Sequence, residues 1–310
     1  MRFLWLALLS CSLLACGSED GEPASGSGGA GSGPWRSEAA LPEALSHASA
    51  LELSGKVWLI GGRAPSASKK VWIFDPTTEA WSSGPELPEA RSDAAVAAID
   101  GSVYVVGGYS DEGTTPTDST YVLASGQSVW EKQSSLILPR ADAVAAGIDG
   151  LLYVIGGGQA AASLLGDTVV FDPSSNSWAA KAKIPHPRTS FAGFLLGGWL
   201  YAMGGATESG GVTNQVDVYE PKGGAWGTAT EFPHPRRGAG AAVLGATAFV
   251  AGGEGEASVD TFDGKSFGSA PPLATPRTEA AVVSAAGRLY VIGGELAGGG
   301  ASSVVESYAP

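Results

Sequence analysis

The stretch Val103-Tyr104-Val105-Val106-Gly107-Gly108 joins a short apolar run to a pair of glycines. The same arrangement of four mostly apolar residues and two glycines occurs six times along the chain, and its copies end at Gly62, Gly108, Gly157, Gly205, Gly253 and Gly294. The first glycines of successive copies are 46, 49, 48, 48 and 41 residues apart. Self-similarity at a nearly constant period indicates that one supersecondary unit is repeated through the chain.

Each repeat contains signals for four strands. A strand of small residues precedes the apolar run, and in two repeats the turn between them is Asp100-Gly101 or Asp149-Gly150, which suits a type I′ hairpin. A third strand follows a variable loop, and an aromatic residue then marks a short fourth strand. These aromatic residues are Trp81, Trp130, Trp178, Trp226 and, in the fifth repeat, Phe267. Four strands in each of six repeats predict an all-β fold, a six-bladed β-propeller with four antiparallel strands per blade.

The order of diglycine, spaced aromatic and tryptophan resembles the kelch repeat. By these motifs the chain resembles kelch-type propellers, of the superfamily that includes the central domain of galactose oxidase, over residues 34–310. The sixth repeat ends at Tyr308-Ala309-Pro310 and lacks a tryptophan strand, whereas Trp35 precedes the first repeat. We therefore expect the N-terminal strand at Trp35 to complete the last blade and close the ring, which removes free sheet edges.

The amino terminus has the features of a bacterial lipoprotein signal. Arg2 is followed by an apolar run that ends in Leu13-Leu14-Ala15-Cys16, which resembles a lipobox. We predict a signal peptide over residues 1–15, lipidation of Cys16, and a flexible Gly/Ser-rich tether over residues 16–33. The alternative is an ordinary signal peptide with an incidental cysteine. The predicted location is the cell envelope, and Gly17 favours the outer membrane over the inner by resemblance to enteric lipoproteins.

Composition argues against several classes of function. The net charge of −13 and the absence of a basic stripe disfavour nucleic acid as a partner. The only cysteines are Cys11 and Cys16, so the propeller lacks the thiol that the copper cofactor of a kelch oxidase requires. No catalytic motif occurs, and three histidines on separate linkers do not indicate convergent metal ligands. We therefore predict no catalytic residues, no cofactor and no metal site.

A repeated arginine is the strongest candidate for a binding residue. It lies 16 residues before the first glycine in five repeats, as Arg91, Arg140, Arg188, Arg236 and Arg277, and Leu45 takes its place in the first repeat. The kelch resemblance implies a pocket in which such arginines capture acidic peptide segments or a sugar carboxylate. The alternative is a structural residue that pairs with a carboxylate of the neighbouring blade. Acids close by in sequence are Glu89, Asp93, Asp142 and Glu279.

Two histidines recur two residues before this arginine. His186 and His234 lie in matching Pro-His-Pro-Arg segments of adjacent repeats, and they are either a pair of ligand contacts or ordinary surface residues. His47 lies two residues after Leu45.

The sequence leaves two hypotheses for function. The first is a non-catalytic interaction module that recognises a protein segment or a glycan, acidic ones included, at the loop face, and meets the membrane only through its lipid anchor. The alternative is a periplasmic sugar-acid mutarotase or epimerase, because a six-bladed periplasmic kelch mutarotase that acts on sialic acid is known. An enzyme of that kind needs an acid or base near the arginines.

Overall fold

A computed structural model describes residues 34–110, 115–160 and 163–310 of the chain. Every regular element in these ranges is a β-strand. The described residues therefore include no helix that could cross a membrane. The predicted signal peptide, Cys16 and the tether lie outside the described residues.

The strands are numbered in chain order. The first half contains β1 (Arg36–Ser37), β2 (Ser46–Leu53), β3 (Lys56–Arg63), β4 (Val71–Asp75), β5 (Ala80–Ser83), β6 (Ala95–Ile99), β7 (Ser102–Val106), β8 (Tyr109–Ser110), β9 (Thr115–Pro116), β10 (Thr120–Leu123), β11 (Glu131–Gln133), β12 (Val144–Ile148), β13 (Leu151–Ile155), β14 (Gly158–Ala160) and β15 (Ser163–Leu164). The second half contains β16 (Thr168–Asp172), β17 (Ser177–Lys181), β18 (Ala192–Leu196), β19 (Trp199–Met203), β20 (Val216–Glu220), β21 (Ala225–Thr228), β22 (Gly240–Leu244), β23 (Thr247–Ala251), β24 (Val259–Phe262), β25 (Phe267–Ala270), β26 (Arg277–Thr278), β27 (Ala281–Ala285), β28 (Arg288–Ile292), β29 (Glu295–Leu296) and β30 (Val305–Tyr308).

Six four-stranded antiparallel sheets form the blades of a propeller, which confirms the predicted fold. In order they are β2-β3-β4-β5, β6-β7-β10-β11, β12-β13-β16-β17, β18-β19-β20-β21, β22-β23-β24-β25 and β27-β28-β30-β1. The first strand of each blade contacts the first strands of both neighbouring blades, so these six strands surround a central axis. The pairs β8-β9, β14-β15 and β26-β29 extend from the end of the propeller where second strands finish and third strands begin. We call this end the loop face.

The ring is closed by the amino-terminal strand, as the sequence predicts. β1 pairs antiparallel with β30, with Arg36 opposite Ser307. Trp35 is 5% exposed, its ring centroid lies 5.3 Å from that of Tyr308, and its indole Nε1 donates a hydrogen bond of 2.8 Å to the carbonyl oxygen of Pro271. The last blade therefore contains both ends of the propeller domain.

The hydrophobic core is divided among the interfaces between blades. The described residues form six clusters of buried side chains, and each cluster draws its residues from two adjacent blades. At the interface of the first and last blades, for example, the rings of Phe74 and Tyr290 meet edge to face at 5.7 Å. Burial of this kind requires both neighbours, so stability depends on a complete ring.

The glycine pair of a blade lies where the linker that leads into the next blade passes close to its backbone. Gly107 has φ of +63°, and a Cβ atom there would lie 2.3 Å from the carbonyl oxygen of Arg140. The amide of Gly108 donates a 2.8 Å hydrogen bond to the same carbonyl. Only glycine allows this approach, which explains why the pair recurs in every blade.

Candidate functional site

The five repeated arginines lie inside the blades, and each is at most 4% exposed. In the third to sixth blades the guanidinium donates a hydrogen bond to the carbonyl oxygen of the blade's own first glycine, at 3.1 Å for Arg140 and 3.0 Å for Arg277. The corresponding pairs are Arg188–Gly204 and Arg236–Gly252. The spacing of 16 residues therefore reflects a contact within the blade.

Each arginine also has an acid partner close by. Arg188, Arg236 and Arg277 pair with the second residue of their blade's third strand, in the ion pairs Arg188–Asp217, Arg236–Asp260 and Arg277–Glu306. Arg140 and Arg91 pair with Asp167 at 3.4 Å and with Glu89 at 2.5 Å. These acids belong to the same blade or linker as the arginine, not to the neighbouring blade. The five guanidinium groups are therefore buried in their own blades and already paired with acids there.

His186 and His234 lie beside two of these ion pairs. Nδ1 of His186 is 3.0 Å from Asp217, and Nδ1 of His234 is 2.7 Å from Asp260. Both side chains are substantially exposed, at 47% and 62%. They do not converge on one recess among the described residues, so we do not include them in the candidate site.

The linkers bring a different set of side chains to the axis. These residues lie two positions after the repeated arginine, or after Leu45, and all have φ between +49° and +67°. We call them the axial ring: His47, Asp93, Asp142, Ser190, Gly238 and Glu279. Backbone hydrogen bonds join five of the six neighbouring pairs, as from the amide of Asp93 to the carbonyl of His47 at 2.9 Å. The ring closes around the axis at the loop face.

The axial ring lines a recess of about 130 Å³, which we call the axial recess. His47 is held firmly in it, because its Nδ1 lies 2.6 Å from Oδ1 of Asp93. Its Nε2 is 3.2 Å from Oε1 of Glu295 and 2.6 Å from Nη2 of Arg63. Two blades further round the axis, the hydroxyl of Tyr109 lies 3.5 Å from Asp142. Charged groups from several blades therefore converge on one small volume.

Burial and crowding change the proton affinities of these groups. Burial raises the pKa of Glu279 to about 7, with His47 opposing and Asp93 adding to the rise. Burial and the charges of Asp93 and Glu279 raise the pKa of Asp142 well above its usual range. Burial alone would lower the pKa of His47, but the hydrogen bond and charge of Asp93 raise it to about 9. Carboxyl groups that hold protons near neutral pH are typical of sites with a chemical task.

The recess also contains possible metal ligands. One donor atom from each of His47, Asp93 and Glu279 lies within 4.8 Å of the others. Sequence reasoning considers only the histidines for a metal site, whereas here one histidine meets carboxylates from two other linkers.

The sequence indicates the arginine position but not the axial ring. From the sequence, Asp93, Asp142 and Glu279 are expected only as arginine partners, and His47 is a histidine near Leu45. The sequence does contain a signal for the axial ring, but it is one of position alone: every ring residue lies two residues after the repeated arginine or after Leu45. The residue type changes from blade to blade and includes Ser190 and Gly238, so no motif marks the set.

Comparisons with known proteins agree with the propeller architecture. The family model described as the KLHDC2/KLHL20/DRC7 Kelch-repeats domain matches residues 35–182 and 94–294. The solved structure titled "Structure of YjhT" superposes with a TM-score of 0.77 at 18% sequence identity, covering 86% of this chain and 95% of that chain. No curated protein sequence matches the chain. Likeness to that structure shows a shared fold, and the family matches, one of which spans more than half of the chain, show that the chain belongs to the Kelch-repeats domain family.

Proposed function

We propose that the protein is a non-catalytic binding module of the cell envelope, which takes part of a protein segment or glycan into the axial recess. The observation that supports this most is the convergence of six linkers on one recess at the loop face. Side chains presented by linkers on a rigid scaffold are well placed for recognition. The recess admits only a small group, so the surrounding loops would contact the rest of the ligand.

The charge of the recess favours a cationic or hydroxyl-rich group. Three carboxyl groups, those of Asp93, Asp142 and Glu279, line the recess, and among the described residues the basic side chains at this place are His47 and Arg63, which contact each other. Burial raises the pKa of Asp142 and Glu279, and a bound cation would favour their ionised forms. The buried arginines that would have attracted an acidic ligand are already paired within their blades. The proposed ligand therefore presents an amine, as in lysine or an amino sugar, and not a carboxylate.

The envelope location is part of the same proposal, and it is supported by the sequence of residues 1–33. Lipidation of Cys16 would hold the propeller at the membrane, with residues 16–33 as the tether. Replacing Cys16 with serine should move the protein from the membrane fraction to the soluble fraction. Retention of Cys16→Ser in membranes, with the propeller folded, would contradict the lipid anchor.

Ligand binding should depend on Asp142. The substitution Asp142→Asn keeps a side chain that tolerates positive φ but removes a carboxyl group that a bound amine would hold in its ionised form. We expect affinity for a basic peptide or an amino-sugar glycan, identified on arrays and measured by calorimetry, to fall about tenfold or more because a charge-assisted hydrogen bond is lost.

Glu254→Gln provides a matched control for this measurement. Glu254 is an exposed loop-face carboxylate that pairs with Arg237 at 2.7 Å, and it lies outside the axial recess. Its substitution should leave ligand affinity within about twofold, since exposed ion pairs contribute little. Equal losses in the two variants, or no bound peptide or glycan on the arrays, would contradict binding in the recess.

The sugar-acid mutarotase or epimerase is a second candidate, favoured by the protonation state of Glu279. A carboxyl group with pKa of about 7 can donate a proton to a sugar ring oxygen, while a neighbouring carboxylate such as Asp93 takes the proton of the anomeric hydroxyl group, which becomes a carbonyl. The ring C–O bond then opens and recloses on the other face. Arg63, which is 29% exposed, could bind the substrate's carboxylate. If no sialic or other sugar acid anomerises faster with the protein than without it, this candidate is excluded.

A further inference from the structure

Three side chains in the axial recess have the composition of a metal site. His47 contributes a ring nitrogen, and Asp93 and Glu279 contribute one carboxylate oxygen each, all within 4.8 Å of one another. The side chains of His47 and Asp93 are 10% and 5% exposed, so both are largely removed from solvent. We propose that His47, Asp93 and Glu279 bind a divalent transition-metal cation such as Zn²⁺ in the axial recess.

The surroundings of His47 resemble the support that metal-bound histidines receive. Nδ1 lies 2.6 Å from Oδ1 of Asp93. The opposite nitrogen, Nε2, lies 3.2 Å from Oε1 of Glu295 and 2.6 Å from Nη2 of Arg63, and these outer contacts fix the orientation of the imidazole. The positive φ of +55° at His47 and +54° at Asp93 places both side chains on the axial side of their linkers.

Glu279 has space and no competing partner. Its carboxylate accepts no hydrogen bond from another described residue. The neighbouring ring position is Gly238, where an added Cβ atom would lie 2.7 Å from Oε1 of Glu279. The absence of a side chain at Gly238 therefore leaves room for this carboxylate on the axis.

Two other histidine–aspartate pairs in the same molecule lack the third carboxylate. His234 lies 2.7 Å from Asp260, but the third group there is the guanidinium of Arg236, at 2.7 Å from the same carboxylate. His186 and Asp217 share the same arrangement with Arg188. At both places the single carboxylate is already bound by a guanidinium, whereas in the axial group Arg63 contacts the far ring nitrogen of His47. Among the described residues, only the axial group combines histidine with two acids.

The donor set selects the type of metal. One imidazole nitrogen with two carboxylate oxygens suits Zn²⁺, and less strongly Mn²⁺, whereas Ca²⁺ and Mg²⁺ prefer oxygen ligands alone. Water or an organic ligand would complete the coordination. The site does not rest on the proposed function, because it requires no peptide or glycan.

The test titrates the purified, untagged full-length protein with Zn²⁺ by calorimetry and with Co²⁺ by visible absorption. We expect one Zn²⁺ per chain, much weaker binding of Ca²⁺ and Mg²⁺, and d–d absorption bands from bound Co²⁺. His47→Asn, which tolerates the positive φ, should weaken Zn²⁺ binding about 100-fold or more. Glu279→Gln should also weaken binding strongly, and it tests the site again if His47→Asn does not fold.

His234→Asn is the matched control, because it removes a histidine that pairs with an aspartate outside the recess. Binding of Zn²⁺ to this variant should equal that of the unsubstituted protein. Three results would overturn the proposal: no Zn²⁺ binding at millimolar metal, undiminished binding by folded His47→Asn, or equal affinity for Ca²⁺. Asp142→Asn, the variant that tests the proposed ligand, leaves all three metal ligands in place, so failure of one proposal is distinguishable from failure of the other.

Discussion

Replacing Arg188 with leucine should lower the free energy of unfolding by about 3 to 5 kcal/mol, because it leaves a buried carboxylate without its counter-charge. Asp217 and Arg188 are both fully buried, at 0% exposed. The same guanidinium donates to the carbonyl oxygens of Gly204 and Gln215, at 3.3 and 2.6 Å, which would lose their partner. The loss should appear in urea unfolding as a lower midpoint and in calorimetry as a lower Tm.

The first blade suggests how to recover this stability. It has Leu45 at the position of the repeated arginine. Trp72 takes the position that Asp217 has in the fourth blade, because Trp72 and Asp217 each pair with the second-strand residue that lies two positions before the first glycine of the blade. The third blade has Val169 there. Arg188→Leu combined with Asp217→Val should therefore be more stable than Arg188→Leu alone, because no buried charge remains.

Arg237→Ala is the control for a charge on the loop face. Arg237 is 42% exposed and pairs with the exposed Glu254, so its loss should change stability by no more than about 1 kcal/mol. If Arg188→Leu were as mild as Arg237→Ala, the repeated arginines would not be structural, and their role as ligand contacts would need to be reconsidered.

The propeller was predictable because its signals are local. A blade is made of consecutive strands, so the apolar runs, the glycine pairs and turns such as Asp100-Gly101 are visible in short windows. The positive φ of both Asp100 and Gly101, at +48° and +78°, confirms the predicted turn. Ring closure was predictable from Trp35 because a repeat that lacks one strand must obtain it from the other end of the chain.

The direction of the arginine side chains was not predictable from spacing. A position that recurs in five blades fits a ring of ligand contacts and a structural contact within each blade equally well. The choice depends on the third strand, where Asp217, Asp260 and Glu306 provide the counter-charge. Their distance in sequence from the arginines varies, because the loop after the diglycine varies in length, so the pairs do not form a motif.

The axial ring was beyond sequence reasoning for a related reason. Its members come from six linkers, and His47 and Glu279 lie near opposite ends of the domain, yet the amide of His47 donates to the carbonyl of Glu279 at 3.0 Å. Closure of the ring creates this contact. A prediction would have required placing the position two residues after each arginine on the axis of a complete propeller.

Replacing Trp35 with alanine should lower the free energy of unfolding by about 3 to 5 kcal/mol, the usual cost of truncating a buried tryptophan. The indole packs against Tyr308 and donates to the carbonyl of Pro271, so the substitution removes both contacts. It should also release β1 from β30, because this short strand is joined to the last blade only through pairing and not through a turn. Phenylalanine, which the fifth blade has at the equivalent position as Phe267, should cause a smaller loss.

Trp130→Ala separates lost packing from lost ring closure. Trp130 is 6% exposed and its Nε1 donates to the carbonyl of Pro85 at 2.9 Å, so it matches Trp35 in burial and bonding. Its fourth strand, however, follows directly from the third strand of the same blade. In urea titrations, both variants should show a similar decrease in the free energy of unfolding. Only Trp35→Ala should show faster hydrogen exchange in β30 and a tendency to aggregate, because the edge of β30 becomes free. Equal exchange of β30 in the two variants would mean that the amino-terminal strand does not hold the ring closed.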